Sequence, residues 1–299
     1  MDSPLLFPVR IKGKALLVLD ETLIPFKEEY IDVKNLDDAL FVLGQMKTRA
    51  LGQVLLFFYS CVFFHKEGTV DDICKRFSAL RPTFDFPMMA EMIKYQIGNG
   101  FTVSDAAFGF VKMFDNARRK RASYLASILP TPANILTICN VNGELIYLYQ
   151  ELERLGKAGT FYVCETRPYL QGSRLTFWEL QRNKIPTKVL CDNQAAVVMK
   201  KGLVNCVISG ADRAAASGGI INKLGTYSLA CLAKHFGIAF YPLTQYPRDI
   251  DINNVVIEER PKKETFMFLG GDFSSIDAVY PSFDVTDGEF VTESVKLPV

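Results

Sequence analysis

The chain has 299 residues, with 34 Lys+Arg against 33 Asp+Glu and a formal net charge of +1. Apolar residues make up 49% and charged residues 22%, a globular composition and not a disordered one, and a chain this long buries enough surface to fold without disulfides. The balanced charge argues against a general nucleic-acid binder. Only two histidines, His65 and His235, leave little room for a His-rich metal site or a His-based triad.

In chain order, the first ~30 residues alternate short apolar runs with turns. Ala15-Leu16-Leu17-Val18-Leu19 and then Tyr30-Ile31-Asp32-Val33 predict a small β-hairpin or meander. Met1-Asp2-Ser3-Pro4 lacks the basic region of a signal peptide. From Asp37 to Phe64, Leu40, Leu43, Met46 and Ala50 recur three or four apart and predict helix. The apolar stretch Val54 to Phe64, interrupted by Ser60, is too short to span a bilayer and reads as a buried helix. Further helices are predicted over 69–80, 84–98 and 103–128, with Thr69 and Ser104 as N-caps. The basic run Arg118-Arg119-Lys120-Arg121 reads as a solvated helix face.

Pro130-Thr131-Pro132 punctuates the chain and predicts a boundary between an N-terminal β-hairpin and helical domain, 1–129, and a Rossmann-like α/β domain, 130–299. In the second part, β-rich runs begin near Ile135, Thr160, Thr187, Cys206 and Ile238. They alternate with helical segments near 143–156, 173–183, 193–201 and 221–236, the pattern of βαβ units and a parallel sheet. The tail after Phe273 carries weak strand signals.

The seven cysteines are odd in number, widely spaced and without a C-x-x-C pair, so they suggest neither zinc nor a secreted disulfide framework. A reduced, cytoplasmic, soluble protein is expected, in which six of the seven thiols serve packing. No dinucleotide fingerprint, P-loop, H-E-x-x-H or G-x-S-x-G occurs. Neither a cofactor nor a metal is expected.

Ligands of open parallel sheets bind at the carboxyl ends of the strands. The polar residues following the predicted strands are Cys139-Asn140, Glu165-Thr166-Arg167, Asp192-Asn193, Gly210-Ala211-Asp212-Arg213, and Thr244-Gln245. One rim thus gathers a thiol, carboxylates, arginines and amides. Asp192 reads as a support for that rim, and Glu165 with Arg167 as residues that shape it.

These residues carry a resemblance. Glu165-Thr166-Arg167-Pro168-Tyr169-Leu170-Gln171-Gly172-Ser173-Arg174-Leu175-Thr176 is similar to a signature of the methylthioribose-1-phosphate isomerase family. So are Asp192-Asn193-Gln194-Ala195-Ala196, Gly210-Ala211-Asp212-Arg213, Asn222-Lys223-Leu224-Gly225-Thr226, and Phe283-Asp284-Val285-Thr286. The superfamily includes ribose-1,5-bisphosphate isomerases and regulatory subunits of a eukaryotic translation-initiation exchange factor.

The resemblance implies a homodimer that converts an aldose 1-phosphate to the ketose 1-phosphate without a cofactor. The best fit is 5-methylthioribose 1-phosphate, in methionine salvage; 5-deoxyribose 1-phosphate and ribose 1,5-bisphosphate are the alternatives. A non-catalytic sugar-phosphate- or nucleotide-binding regulatory protein of the exchange-factor type is the rival outside catalysis. The resemblance places the catalytic pair on Cys139 and Asp212, and substrate binding on Arg49, Arg81, Gln171, Asn222 and Lys223.

Arginine forks and lysine suit a phosphate dianion. Asp212 suits the acid that opens the sugar ring, and Cys139 as thiolate suits the base at C2; a hydride shift is the other route. The chain departs from the family at Arg49-Ala50-Leu51-Gly52, where Arg-Gly-Ala-Pro is usual. The loop after Cys139 is also shorter than usual and brings Glu144 into the first turn of the next helix.

Overall fold

The computed structural model describes residues 2–245, 247–266, 269–270, 275 and 277–297. The chain packs as two compact units, Asp2–Arg118 and the residues from Arg119 onward.

In the first unit, β1 (Val9–Lys12), β2 (Ala15–Leu19) and β3 (Tyr30–Val33) form the expected antiparallel meander. Its inner residues, Leu16, Val18 and Val33, are fully buried. Four helices follow: α1 (Leu36–Gly44), α2 (Leu51–Phe63), α3 (Val70–Leu80) and α4 (Phe86–Gly98). Leu51 to Cys61 of α2 are buried without a break, as in a helix that is apolar all round. Around it the rings of Phe57, Phe77 and Phe86 meet with centroids 5.2–5.5 Å apart. Thr69 caps α3 in a reciprocal capping box with Asp72, as its sequence predicts.

The single helix expected over 37–64 is two. The break has a tertiary cause: Glu21, just past β2, draws the 47–49 segment out of helical pairing. Its backbone N–H donates to the Lys47 carbonyl (2.8 Å). Its carboxylate accepts from the Thr48 hydroxyl (2.6 Å) and the Arg49 N–H (3.1 Å). Helical spacing of the apolar residues cannot report such a long-range capture.

Helix α5 (Val103–Ile128) runs from the first unit into the second, so the division falls within it, upstream of Pro130-Thr131-Pro132. Its N-terminal cap is Thr102 and not Ser104: the Thr102 hydroxyl accepts the Asp105 N–H, and Asp105 returns a bond to the Thr102 N–H. The basic run on α5 is not a solvated face. Arg119 and Lys120 are exposed, but Arg118 and Arg121, three residues apart on one side of the helix, are buried. Arg121 makes a two-pronged pair with Glu144 (2.5 and 2.6 Å) and also donates to the Thr244 carbonyl.

The second unit is built on a six-stranded parallel sheet in the order β12-β10-β7-β4-β5-β6. The strands are β4 (Ala133–Thr137), β5 (Ala158–Cys164), β6 (Thr187–Leu190), β7 (Cys206–Gly210), β10 (Ala239–Thr244) and β12 (Val295–Lys296). The helices between them include α6 (Glu144–Arg154), α7 (Phe177–Arg182), α8 (Ala195–Lys200) and α9 (Thr226–Phe236). From β4 the chain winds first toward β6 and then, from β7, toward β12, so the winding reverses between β4 and β7.

A small antiparallel sheet, β11-β9-β8, sits beside this rim: β8 (Arg213–Ala214), β9 (Ile220–Lys223) and β11 (Phe283–Thr286). Residues 221–223, read as the start of a helix, are therefore strand. Gly225, at φ +103°, turns the chain into α9, and Asp284 on the paired strand accepts the N–H groups of Gly225 and Tyr227. In the tail after Phe273, which carries the weak strand signals, Ser274, Ile276, Pro298 and Val299 lie outside the described residues.

Candidate active site

The site builds from the reversal point, where open α/β sheets bind ligands. β4 and β7 are neighbours in register, Thr137 beside Ile208. The chain past β4 delivers Cys139, and the chain past β7 delivers Asp212, at the same edge of the sheet. Asp212 donates its N–H to the Ile221 carbonyl (2.8 Å), which places Asn222 next along β9. A Cβ on Gly210 would lie 3.3 Å from Val141 Cγ1 and 3.4 Å from Asn222 Oδ1. One on Gly225 would lie 3.0 Å from Ile138 Cδ1. The Cys139 loop, the Asp212 turn and the β9–α9 turn are thus packed together.

Asn222 and Lys223 are buried. Asn222 donates to the Thr226 hydroxyl (2.8 Å). The Lys223 ammonium lies 5.3 and 5.9 Å from the ring centres of Phe283 and Tyr280, within the range of a cation–π contact. Burial pushes the Asp284 carboxyl up to about 6, against the opposing pull of the Gly225 and Tyr227 N–H groups and of Lys223. Gln171 is also buried, and its side-chain carbonyl oxygen has no hydrogen-bond partner. Such an acceptor is costly to leave unsatisfied.

The Cys139 backbone is left-handed, φ +65°. Its N–H donates to Thr166 Oγ1 (2.9 Å), and its carbonyl accepts from Thr176 Oγ1 (2.5 Å). Asn140 donates to Thr176 Oγ1 and to Glu179 Oε1, both at 3.0 Å. Residues Gly172–Thr176 form one wide π-helical turn, a form common at functional sites. Glycine at 172 is required sterically, because a Cβ there would stand 1.7 Å from the Cys164 carbonyl oxygen. Asp192 supports the rim as expected, accepting the N–H groups of Thr166 (2.7 Å) and Arg167 (2.8 Å).

Four of the other thiols, Cys61, Cys74, Cys164 and Cys206, are buried. Burial pushes Cys61, Cys164 and Cys206 up to about 12, so they stay protonated and serve packing. Cys191, expected to pack, is exposed instead.

Cys139, Gln171, Asp212, Asn222 and Lys223 therefore share one rim of the second unit. Arg49 and Arg81 belong to the first unit. Arg81 donates to Gln53 Oε1 (2.9 Å), and Gln53 donates to the Thr48 carbonyl (2.8 Å). Glu144, in the first turn of α6, is neutralised by Arg121. The residues that sequence reasoning missed are Glu21, Thr176, Glu179 and the roles of Thr166 and Asp284. Thr166, Thr176 and Asp284 lay inside the quoted motifs, but nothing in a motif separates a residue that touches ligand from one that holds its neighbour.

Comparison with known proteins identifies the family and its fold. The family model described as "Initiation factor 2 subunit family" matches residues 63–295. A methylthioribose-1-phosphate isomerase of Caldicellulosiruptor saccharolyticus is 32% identical, over 93% of this chain and 90% of the relative. Among solved structures, the 5-methylthioribose 1-phosphate isomerase of Pyrococcus horikoshii superimposes with a TM-score of 0.74 at 25% identity, covering 96% of this chain and 90% of that one. The translation initiation factor eIF-2B subunit delta of A. fulgidus gives 0.75 at 27% identity, covering 96% and 93%.

Proposed function

The chain belongs to the initiation factor 2 subunit family, and we propose that it is a cofactor-free aldose–ketose isomerase converting 5-methylthioribose 1-phosphate to 5-methylthioribulose 1-phosphate. The observation that supports this reading is that Cys139 and Asp212 follow just after the adjacent strands β4 and β7, where the sheet reverses its winding. The names of the isomerase relatives supply the substrate.

A phosphate on C1 blocks simple opening to a free aldehyde, so an acid must help the ring oxygen leave C1. Asp212 gives its proton to that oxygen as the C1–O bond breaks, and later takes the proton of the C2 hydroxyl as the carbonyl forms. Cys139 as thiolate removes the hydrogen of C2 as a proton and returns it to C1. Protons balance, and no electrons leave the substrate. In the alternative route that hydrogen moves directly as a hydride. Turnover in heavy water tests the proton route: deuterium on C1 shows that the hydrogen moves as a proton.

Lys223 is read as a phosphate-binding residue, and Gln171 and Asn222 as partners of the sugar hydroxyls; the resemblance assigns Arg49 and Arg81, in the first unit, to substrate binding as well. The buried, unsatisfied oxygen of Gln171 fits a hydroxyl donor. A homodimer working in the cytoplasm belongs to the same reading, and light scattering at micromolar concentration checks the dimer. Phosphorus NMR on a panel of pentose 1-phosphates tests the function. Conversion of the 5-methylthio compound is expected; binding of the panel without conversion of any member would assign the protein to the regulatory, non-catalytic side of the family.

A further inference from the structure

The Glu165–Thr176 motif and Glu179 need an explanation that substrate contact does not give. Thr166, Thr176 and Glu179 are all fully buried. Both threonine hydroxyls are used twice. Thr166 Oγ1 accepts the Cys139 N–H and donates to the Cys164 carbonyl (3.0 Å). Thr176 Oγ1 donates to the Cys139 carbonyl and accepts from Asn140. Glu179 Oε1 takes the other Asn140 bond and the Gly143 N–H (3.2 Å). The backbone of Cys139 is therefore gripped on both its N–H and its C=O by side chains from one neighbouring motif. The grip sits where the backbone is least comfortable, at a left-handed φ that a residue with a Cβ rarely adopts.

We propose that Thr166, Thr176 and Glu179 are positioning residues that hold Cys139 in its left-handed conformation and so fix where its thiol is presented to the substrate. This rests on the reading of Cys139 as a catalytic residue. The relay runs from the Cys164 carbonyl through Thr166 to Cys139, and on through Thr176 to Asn140 and Glu179. Glycine at 172 lets the motif close onto Thr166. Valine at 166 or 176 keeps the shape and removes both bonds of that hydroxyl, while serine keeps the bonds. Glu179→Gln keeps one acceptor oxygen and removes the charge.

The test follows Cys139 in two ways. One is the alkylation rate of its thiol across pH, read by mass spectrometry of the Cys139 peptide. The other is the split of kcat from KM for 5-methylthioribose 1-phosphate. T176V is expected to lower kcat about tenfold to a hundredfold with little change in KM, and to shift the alkylation profile of Cys139. T176S is expected to restore both. T176V with an unchanged alkylation profile would overturn the proposal; so would a loss of kcat that T176S does not rescue and that tracks a fall in Tm. T166V and T166S give an independent pair with the same expectations. If the wild-type protein turns over no pentose phosphate, the functional reading falls, while the alkylation profiles still decide whether the grip exists.

Discussion

At position 50 the backbone stands at φ +36°, ψ −107°, a region that belongs to glycine, yet the residue is alanine. The family resemblance puts glycine there, and Ala50 stands strained in its place. A50G is expected to raise stability by about 1–2 kcal/mol, a rise of a few degrees in Tm by thermal denaturation. Glu21 is a second residue under load. Burial pushes its carboxyl up to about 7 from an ordinary 4.5, in spite of bonds from Thr48 and Arg49. Its folded pKa is raised, so the stability it contributes is fully present below pH 4.5 and is lost as pH rises toward 7. Over that window the loss is roughly 3 kcal/mol. Replacement by Gln is expected to flatten this part of the stability–pH curve; an unchanged slope in E21Q would show that Glu21 is not the titrating group. Neither residue announces itself in the sequence. Glu21 reads as one acid among 33 Asp and Glu, because its burial comes from packing that no local pattern encodes.

Among the elements, five of the six parallel strands and the bodies of the helices α3, α4 and α5 were legible, because each is a clear periodic run bounded by turn residues. Three features were not. The break between α1 and α2 depends on Glu21, more than two dozen residues upstream in sequence. β9 was hidden because Ile220-Ile221-Asn222-Lys223 runs straight into the helical pattern of α9, and only its pairing with β11 makes it a strand. The buried face of α5 was read as solvated because a run of four basic residues usually is. Instead, Arg121 ties α5 to the first turn of α6 through Glu144, with both side chains about 5% exposed. Removing one partner strands the other charge in the interior. E144A is therefore expected to cost about 3–5 kcal/mol, and R121M with E144L together markedly less, in a double-mutant cycle by chemical denaturation.

At the scale of the whole molecule, the sheet explains why five of the residues that the resemblance names lie along one rim. The reversal of winding between β4 and β7 brings the ends of two neighbouring strands to one place, and β9 returns beside them with Asn222 and Lys223. Sequence spacing alone could not choose that arrangement, since Cys139 and Asp212 are far apart in the chain and adjacent only through strand order. The scarcity of histidine, which first looked merely negative, suits a site that works with a thiol and a carboxylate. The near-neutral net charge conceals a buried lysine at the sheet rim. The central claim is that this pair carries the chemistry. Its most direct test is the turnover of 5-methylthioribose 1-phosphate by the wild-type protein, C139S and D212N, with folding of each checked by circular dichroism. The account predicts wild-type conversion and a loss of at least about a hundredfold in kcat for each folded variant; wild-type turnover retained in either one would contradict it.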